Sequence, residues 1–232
     1  MAAEKSSVKM SDSYKDNSKM QQTVTGRAIS GEILAKPLLR YIDENAEEFA
    51  STAPFRIAEF GVADGSNSVD VLTHLIETVR SRSETKPIEI LCNDLPSANM
   101  TALFENLNPL KTQFKEVYIQ ACGDSFYKQI FPDNSVDFAI CFTSIHWLEK
   151  MPCFLEGTIY IPTATDGYSP EAAEAWKNQA ANDWRNFLEC RRKELKPKGF
   201  VYAAAPTQRD PPSKANLLQN TMNIEIMGVL VD

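Results

Sequence analysis

Several familiar features are missing from this sequence, and each absence narrows the function. The five cysteines, Cys92, Cys122, Cys141, Cys153 and Cys190, contain no Cys-x-x-Cys spacing. A zinc site or a disulfide framework is therefore disfavoured, no metal is expected, and reduced thiols in a cytoplasmic protein are expected instead. The net charge is −7 and no basic stripe stands out, which argues against nucleic acid as the main partner. No apolar run approaches membrane-spanning length, and no charged-then-apolar signal segment opens the chain, so no membrane partner is expected. There is no G-x-G-x-x-G, which sets a nicotinamide-dependent oxidoreductase far behind, and there are no internal repeats.

What is present is ordinary in amount. The chain has 232 residues, 43% hydrophobic and 24% charged, enough for one sizeable α/β domain. The organising stretch is Arg56 to Ser68. A short apolar run, Phe55 to Ala58, reads as a buried strand. Glu59 follows, then Gly61 and Gly65 with three residues between them. From Val69 the apolar residues recur at three and four positions, through Leu72, Leu75, Ile76 and Val79, which predicts a helix. Strand, glycine-rich turn and helix form the kind of crevice where parallel α/β sheets bind ligands. No Lys follows Gly65, so the turn is not a P-loop. The pattern E-x-G-x-x-x-G is the usual signature of S-adenosylmethionine-dependent methyltransferases with a Rossmann-like sheet. A structural turn without a ligand is the bland alternative.

Along the rest of the chain, the first twelve residues read as a disordered N-terminus. Ser30 to Phe49 reads as helical, with Pro37 marking a kink or a new first turn. Ile88 to Cys92 is a second strand, leading into Asn93-Asp94-Leu95-Pro96. An acid at this place suits ribose hydroxyls, with a helix cap or turn as the alternative role. Asn99 to Leu107 is a helix and Val117 to Ala121 a third strand, followed by Gly123-Asp124-Ser125-Phe126-Tyr127. Val136 to Phe142 is a fourth strand, apolar apart from Asp137, as a central parallel strand is. It runs into Thr143-Ser144-Ile145-His146-Trp147-Leu148. Here an imidazole and an indole stand at a strand's carboxyl end, whereas His74 lies within a helix. Ser169-Pro170 starts the clearest helix, with Ala173, Trp176, Ala180, Trp184, Phe187, Leu188, Arg191 and Leu195 on one face. Lys196-Pro197-Lys198-Gly199 stops it, and Phe200 to Ala205 is a fifth strand. The remaining tail ends in an unexplained apolar run, and the fifth strand would otherwise be an exposed edge.

With these pieces in order, the chain resembles the SABATH family, the plant-type methyltransferases of salicylic, benzoic and jasmonic acids and of caffeine precursors. The resemblance rests on S-Y-x-x-N-S-x-x-Q at Ser13 to Gln21, the E-F-G-x-x-x-G turn with Asn67, N-D-L-P at Asn93 to Pro96, the Gly123 to Tyr127 segment, and S-x-H-W-L at Ser144 to Leu148. It runs from about Met10 to about Ala205. It implies an α/β fold: the Rossmann-like sheet of class I methyltransferases, with helices on both faces. Family members continue with a helical lid and further strands, and the expectation is that this chain lacks them. The division that follows is a disordered 1–12, a cofactor-binding methyltransferase domain over 13–210, and the start of a C-terminal region over 211–232.

The resemblance also implies the site. Tyr14, Ser18, Glu59, Gly61, Gly65, Asn67, Asp94, Leu95, Ser125 and Phe126 match positions that contact S-adenosylmethionine. Gln21 and Trp147 match those that bond the substrate carboxylate, with His146 beside them. The turn Val62-Ala63-Asp64-Gly65 departs from the frequent Cys-Ser-Ser-Gly, and Thr143 replaces a bulky aromatic found in some members. The implied reaction is O-methylation of a small-molecule carboxylic acid, in a homodimer. N-methylation of a small heterocycle and a truncated, non-catalytic cofactor-binding paralogue are the alternatives.

Overall fold

In the computed structural model, which describes residues 19–30, 32–155, 169–207 and 223–230, the chain divides into two compact units between Asp124 and Ser125. Among the described residues the first unit opens on three helices, α1 (Lys19–Ser30), α2 (Ala35–Glu44) and α3 (Ala46–Phe49). Pro37 falls in the opening turn of α2, where its missing N–H costs nothing. Three strands follow, β1 (Phe55–Phe60), β2 (Ile88–Asp94) and β3 (Val117–Gly123), with α4 (Val69–Arg80) and α5 (Met100–Gln113) between them. β2 pairs in parallel with both β1 and β3, in registers Phe55↔Ile88 and Ile88↔Val117. Arg56 faces Glu89 across that register and the two side chains pair at 2.6 Å. α1 and α2 pack on α4, and α5 packs on β3.

β1 and β2 each extend two residues past their apolar runs, so Glu59 and Asp94 belong to the strands rather than to the turns after them. α5 likewise runs past Leu107 and through Pro109. A proline inside a helix removes one backbone hydrogen bond. Two features carry this helix through it. Asn99 Oδ1 accepts from the Ala102 N–H at the start, and Leu103, Leu107 and Leu110 are all buried on one stripe.

The second unit contains β4 (Val136–Phe142), buried at every position, α6 (Pro170–Glu194), β5 (Leu195–Thr207) and β6 (Asn223–Leu230). β4 and β5 are parallel, with Phe138↔Phe200 in register. β6 is the apolar tail that the sequence reading left without a partner. It pairs antiparallel with β5, from Phe200↔Leu230 to Thr207↔Asn223, and so covers the edge that β5 would otherwise expose.

α6 starts as expected. Ser169 Oγ accepts from the Ala172 N–H and Pro170 takes the first position. Its buried face overlaps the expected one at Phe187 and Arg191, while Ala173, Trp176, Ala180, Trp184 and Leu188 are only half-buried. The buried residues are Gln179, Asp183, Phe187, Arg191 and Glu194, four of them polar or charged. The apolar periodicity passed over Gln179, Asp183 and Glu194, whose buried polar groups bond to neighbouring backbone or to one another, as described below. The helix stops before Lys196-Pro197-Lys198-Gly199 as expected, and that stretch is itself strand, because β5 begins at Leu195 directly after the helix. Lys196 Nζ donates to both Asp137 oxygens, at 2.9 and 3.1 Å.

All five cysteines are free, and Cys92 in β2 and Cys141 in β4 are buried. Among the described residues no helix is long and apolar enough to cross a membrane.

Gly65 is where the fold makes its sharpest demand. Its φ is +74°, and a Cβ there would stand 2.7 Å from Leu103 Cδ1 and 3.2 Å from Leu107 Cγ. Gly65→Ala is therefore expected to destabilise the protein by about 1–3 kcal/mol, read as a lowered midpoint in urea denaturation. An unchanged midpoint would show that the turn relaxes without cost.

Candidate functional site

In the first unit Glu59, Gly61, Gly65, Asn67, Asp94 and Leu95 lie at the carboxyl ends of β1 and β2 or in the turns that follow them. The turn after β1 visits left-handed backbone three times, at Gly61 (φ 77°), Ala63 (φ 53°) and Gly65 (φ 74°). It is tied to the end of β2 by main-chain bonds. The Gly61 and Val62 N–H groups both donate to the Asn93 carbonyl, at 2.8 and 3.2 Å. Asp94 completes the connection: its Oδ2 accepts from Ala63 N–H and its Oδ1 from Leu95 N–H, each at 2.7 Å. Each carboxylate oxygen thus carries one backbone donor and keeps acceptor capacity for another. Burial raises the Asp94 pKa, and the two N–H donors work against that rise. Leu95, next in the chain, is 52% exposed and offers an apolar surface beside the carboxylate.

Glu59 lies beneath this turn. It is 5% exposed, its Oε1 accepts from Ser68 Oγ–H at 2.8 Å, and its Oε2 is buried without a partner. Burial pushes its pKa up to about 7, opposed by the Ser68 hydrogen bond and reinforced by the charge of Asp94. Asn67 is half-buried just ahead of α4, and Gln21 is half-buried on α1. Tyr14 and Ser18 lie outside the described residues.

Two residues here had no role in the sequence reading. Asp64 shapes the turn: its Oδ1 accepts from both the N–H and the hydroxyl of Ser66, at 3.0 and 2.7 Å, and its carbonyl accepts from Asn106 Nδ2 at 2.8 Å. Asn93 is completely buried, and its amide donates to the carbonyls of Cys122 and Asp124 at 3.1 and 2.9 Å. A fully buried asparagine inside an apolar strand was the available signal, since such a group must find hydrogen-bond partners.

The second unit carries the other predicted residues on two loops. Ser125 and Phe126 open the segment before β4. Ser125 Oγ accepts from Tyr127 N–H at 3.3 Å, and the Phe126 ring packs edge-on against Tyr127 and Phe187, at 4.7 and 6.0 Å. His146 and Trp147 follow β4. Thr143 holds the strand's exit in left-handed backbone (φ 53°), its N–H donating to the Ala204 carbonyl at 2.7 Å. The Trp147 N–H donates to Ser144 O at 3.0 Å, while its side chain is 61% exposed. The His146 ring is 5.3 Å from the indole. His146 is exposed in area, yet the atoms crowded against its ring hold its pKa below the usual value, which favours the neutral imidazole.

Comparisons with known proteins identify the family. Residues 5–229 match the family described as SAM dependent carboxyl methyltransferase. Loganic acid O-methyltransferase of Catharanthus roseus is 32% identical over 147 residues, covering 61% of this chain and 38% of that protein. Indole-3-acetate O-methyltransferase 1 of Arabidopsis thaliana is 26% identical over 244 residues, covering 90% and 60%. A solved structure of loganic acid methyltransferase with SAH superimposes with a TM-score of 0.74 at 27% identity, over 90% of this chain and 63% of that one. The fold is that of an α/β methyltransferase of class I. The chain belongs to the SAM dependent carboxyl methyltransferase family. It spans between 38% and 60% of the length of these two curated relatives.

The residues present fit the family's cofactor. Asp94 retains acceptor capacity for hydroxyl donors, Leu95 presents an apolar face, and Gly61 brings backbone close without a side chain.

The Glu59 environment fixes a pH dependence. Its folded pKa of about 7 exceeds the ordinary 4.5, so between those values the folded state binds more protons than the unfolded state. Stability must then fall as pH rises from 4.5 to 7. Glu59→Gln should remove about 2–3 kcal/mol of that fall, measured as urea stability at pH 5 against pH 7.5. Parallel pH profiles for parent and variant would refute the assignment.

Proposed function

We propose that this chain carries out the carboxyl O-methylation of a small organic acid. The observation that carries the reading is Trp147, an indole left 61% exposed at the carboxyl end of β4 in a chain of this family. An indole N–H is a donor only, so it suits an anion and cannot bond to a group that itself only donates. A carboxylic acid of ordinary pKa is already ionised at neutral pH, so no general base is required. S-Adenosylmethionine, when bound, supplies an electrophilic methyl group to a carboxylate oxygen.

The chain's own residues then bind and orient. Asp94 accepts hydrogen bonds from ribose hydroxyls, and Leu95 and Phe126 flank the adenine, with Ser125 at its edge. Gly61 and Gly65 let the turn approach the ligand closely, and Asn67, Tyr14 and Ser18 serve its amino-acid end. Glu59 supports the turn from below. Gln21 and Trp147 donate to the acid's carboxylate, and neutral His146 can supply a third N–H. Orientation of two reactants in this way is worth roughly 7–11 kcal/mol. The names of the relatives, acting on loganic acid and indole-3-acetate, support a small carboxylic acid as substrate. A homodimer is proposed on the family resemblance, with light scattering as its test. A cytoplasmic location is proposed because all five thiols are free.

Trp147→Phe keeps the ring and removes the donor. A hydrogen bond to a charged group contributes about 1.5–3 kcal/mol, so kcat/KM for the acid should fall roughly 10- to 100-fold. Affinity for S-adenosylhomocysteine, read by calorimetry, should not change. Unaltered kinetics would remove Trp147 from the reaction.

Asp94→Ala, by contrast, should weaken S-adenosylhomocysteine binding by at least about tenfold. Full retention of affinity would remove Asp94 from the cofactor site. If the parent chain binds the cofactor product but turns over no acid in a carboxylic acid screen with xanthine-like amines as controls, catalysis is refuted and a binding role stands.

A further inference from the structure

Tyr127 has no part in the reading above, yet it touches both loops of the second unit. We infer that Tyr127 is a positioning residue that ties the Ser125–Phe126 wall to the Trp147 loop, so that filling the wall with an adenosine group stiffens the segment that carries Trp147. The inference rests on the proposed function and adds a coupling between cofactor and acid.

The contacts are specific. Tyr127 is 7% exposed, and its hydroxyl donates to the Trp147 carbonyl at 2.9 Å, with the Ile145 carbonyl 3.2 Å away. One buried proton thus serves two carbonyls that flank His146. On its own side Tyr127 belongs to a closed turn. Its N–H donates to Ser125 Oγ, and Lys128 N–H donates to the Ser125 carbonyl at 3.0 Å. Its ring packs edge-on against Phe126. Ser125, Phe126 and the tyrosine hydroxyl therefore move together.

α6 fixes this turn from behind. Arg191 Nη1 donates to the Phe126 carbonyl at 2.8 Å, and Nη2 to the Lys128 carbonyl at 3.1 Å. Glu194 pairs with the same guanidinium at 2.7 and 2.9 Å and accepts from the N–H groups of Ile130 and Phe131. Both partners of this ion pair are 1% exposed. About two turns before Arg191 on the helix, Asp183 Oδ2 accepts from Glu149 N–H at 2.9 Å, with Gln179 Nε2 holding its other oxygen at 2.6 Å. The Trp147 loop is thus held at Glu149 by the helix and at Ile145 and Trp147 by Tyr127. A ligand that restricts Ser125 and Phe126 restricts the hydroxyl, and through it the backbone that aims the indole. Ordering already present when the acid arrives need not be supplied again, which makes the two ligands bind with positive coupling in both directions.

The test is amide hydrogen exchange over residues 144–149, with and without S-adenosylhomocysteine, in the parent chain and in Tyr127→Phe. In the parent, S-adenosylhomocysteine should slow exchange of this segment by roughly fivefold or more. In Tyr127→Phe the slowing should vanish while calorimetric affinity for S-adenosylhomocysteine stays within about twofold, as a reciprocal coupling with the acid site requires only when acid is present. Equal slowing in parent and variant overturns the tie and leaves carboxyl methylation standing. Failure of the parent to bind S-adenosylhomocysteine overturns the proposed function and the coupling together. Should Tyr127→Phe not fold, Arg191→Lys gives a second reading. It keeps the charge opposite Glu194 but loses the fork that reaches two carbonyls. It should also blunt the slowing, and full slowing in that variant overturns the proposal.

Discussion

Backbone groups leaving the carboxyl end of a parallel strand have lost their ladder partners and still need hydrogen bonds. Much of this structure follows from that constraint. In the first unit the solution is the Asn93–Asp94 pair. The Asn93 carbonyl takes two N–H groups of the glycine turn, its amide takes the carbonyls at the end of β3, and Asp94 takes Ala63 and Leu95. Two adjacent side chains therefore define three strand ends. The carboxylate proposed to recognise ribose is already fixed by backbone donors, so it does not have to be ordered when a ligand binds.

The second unit meets the same constraint with a helix. Arg191, Glu194 and Asp183 on α6 serve the backbone of two irregular loops. A buried ion pair contributes little net stability by itself, but removing one partner costs roughly 3–5 kcal/mol because the other charge is left alone. Here both charges also satisfy loop backbone, so the pair specifies loop geometry more than it adds stability. The loops can stay open at their outer surfaces, where Trp147 is exposed, because their inner surfaces are held.

Apolar periodicity made most elements legible. β4 has the bounds its apolar run suggests, and α4 begins at Val69 as expected. What periodicity could not show was polar burial. Glu59, Asn93, Asp183 and Glu194 are all buried, and a pattern built on apolar residues has no place for them. The buried face of α6 was read in part, at Phe187 and Arg191, and its polar members Gln179, Asp183 and Glu194 were missed for this reason. Partner choice for the tail was equally hidden, since β6 pairs with a strand that precedes it by a long stretch of sequence. The helix expected to end at Leu107 instead runs on to Gln113 through Pro109, where a local breaker is outweighed by three buried leucines. The motif residues were legible through family resemblance, whereas Tyr127 stood inside a quoted motif and acquired a role only once its hydroxyl could be followed.

The buried thiols of Cys92 and Cys141 have a consequence for watching this protein move. One lies in each compact unit, in the middle of a strand, and burial drives the Cys92 thiol pKa well up. Neither sulfur is reachable while its strand is in place. Each becomes reactive only when its own unit opens. The chain thus carries two native clocks, and the rates at which they are alkylated separate the unfolding of one unit from that of the other without any label being introduced.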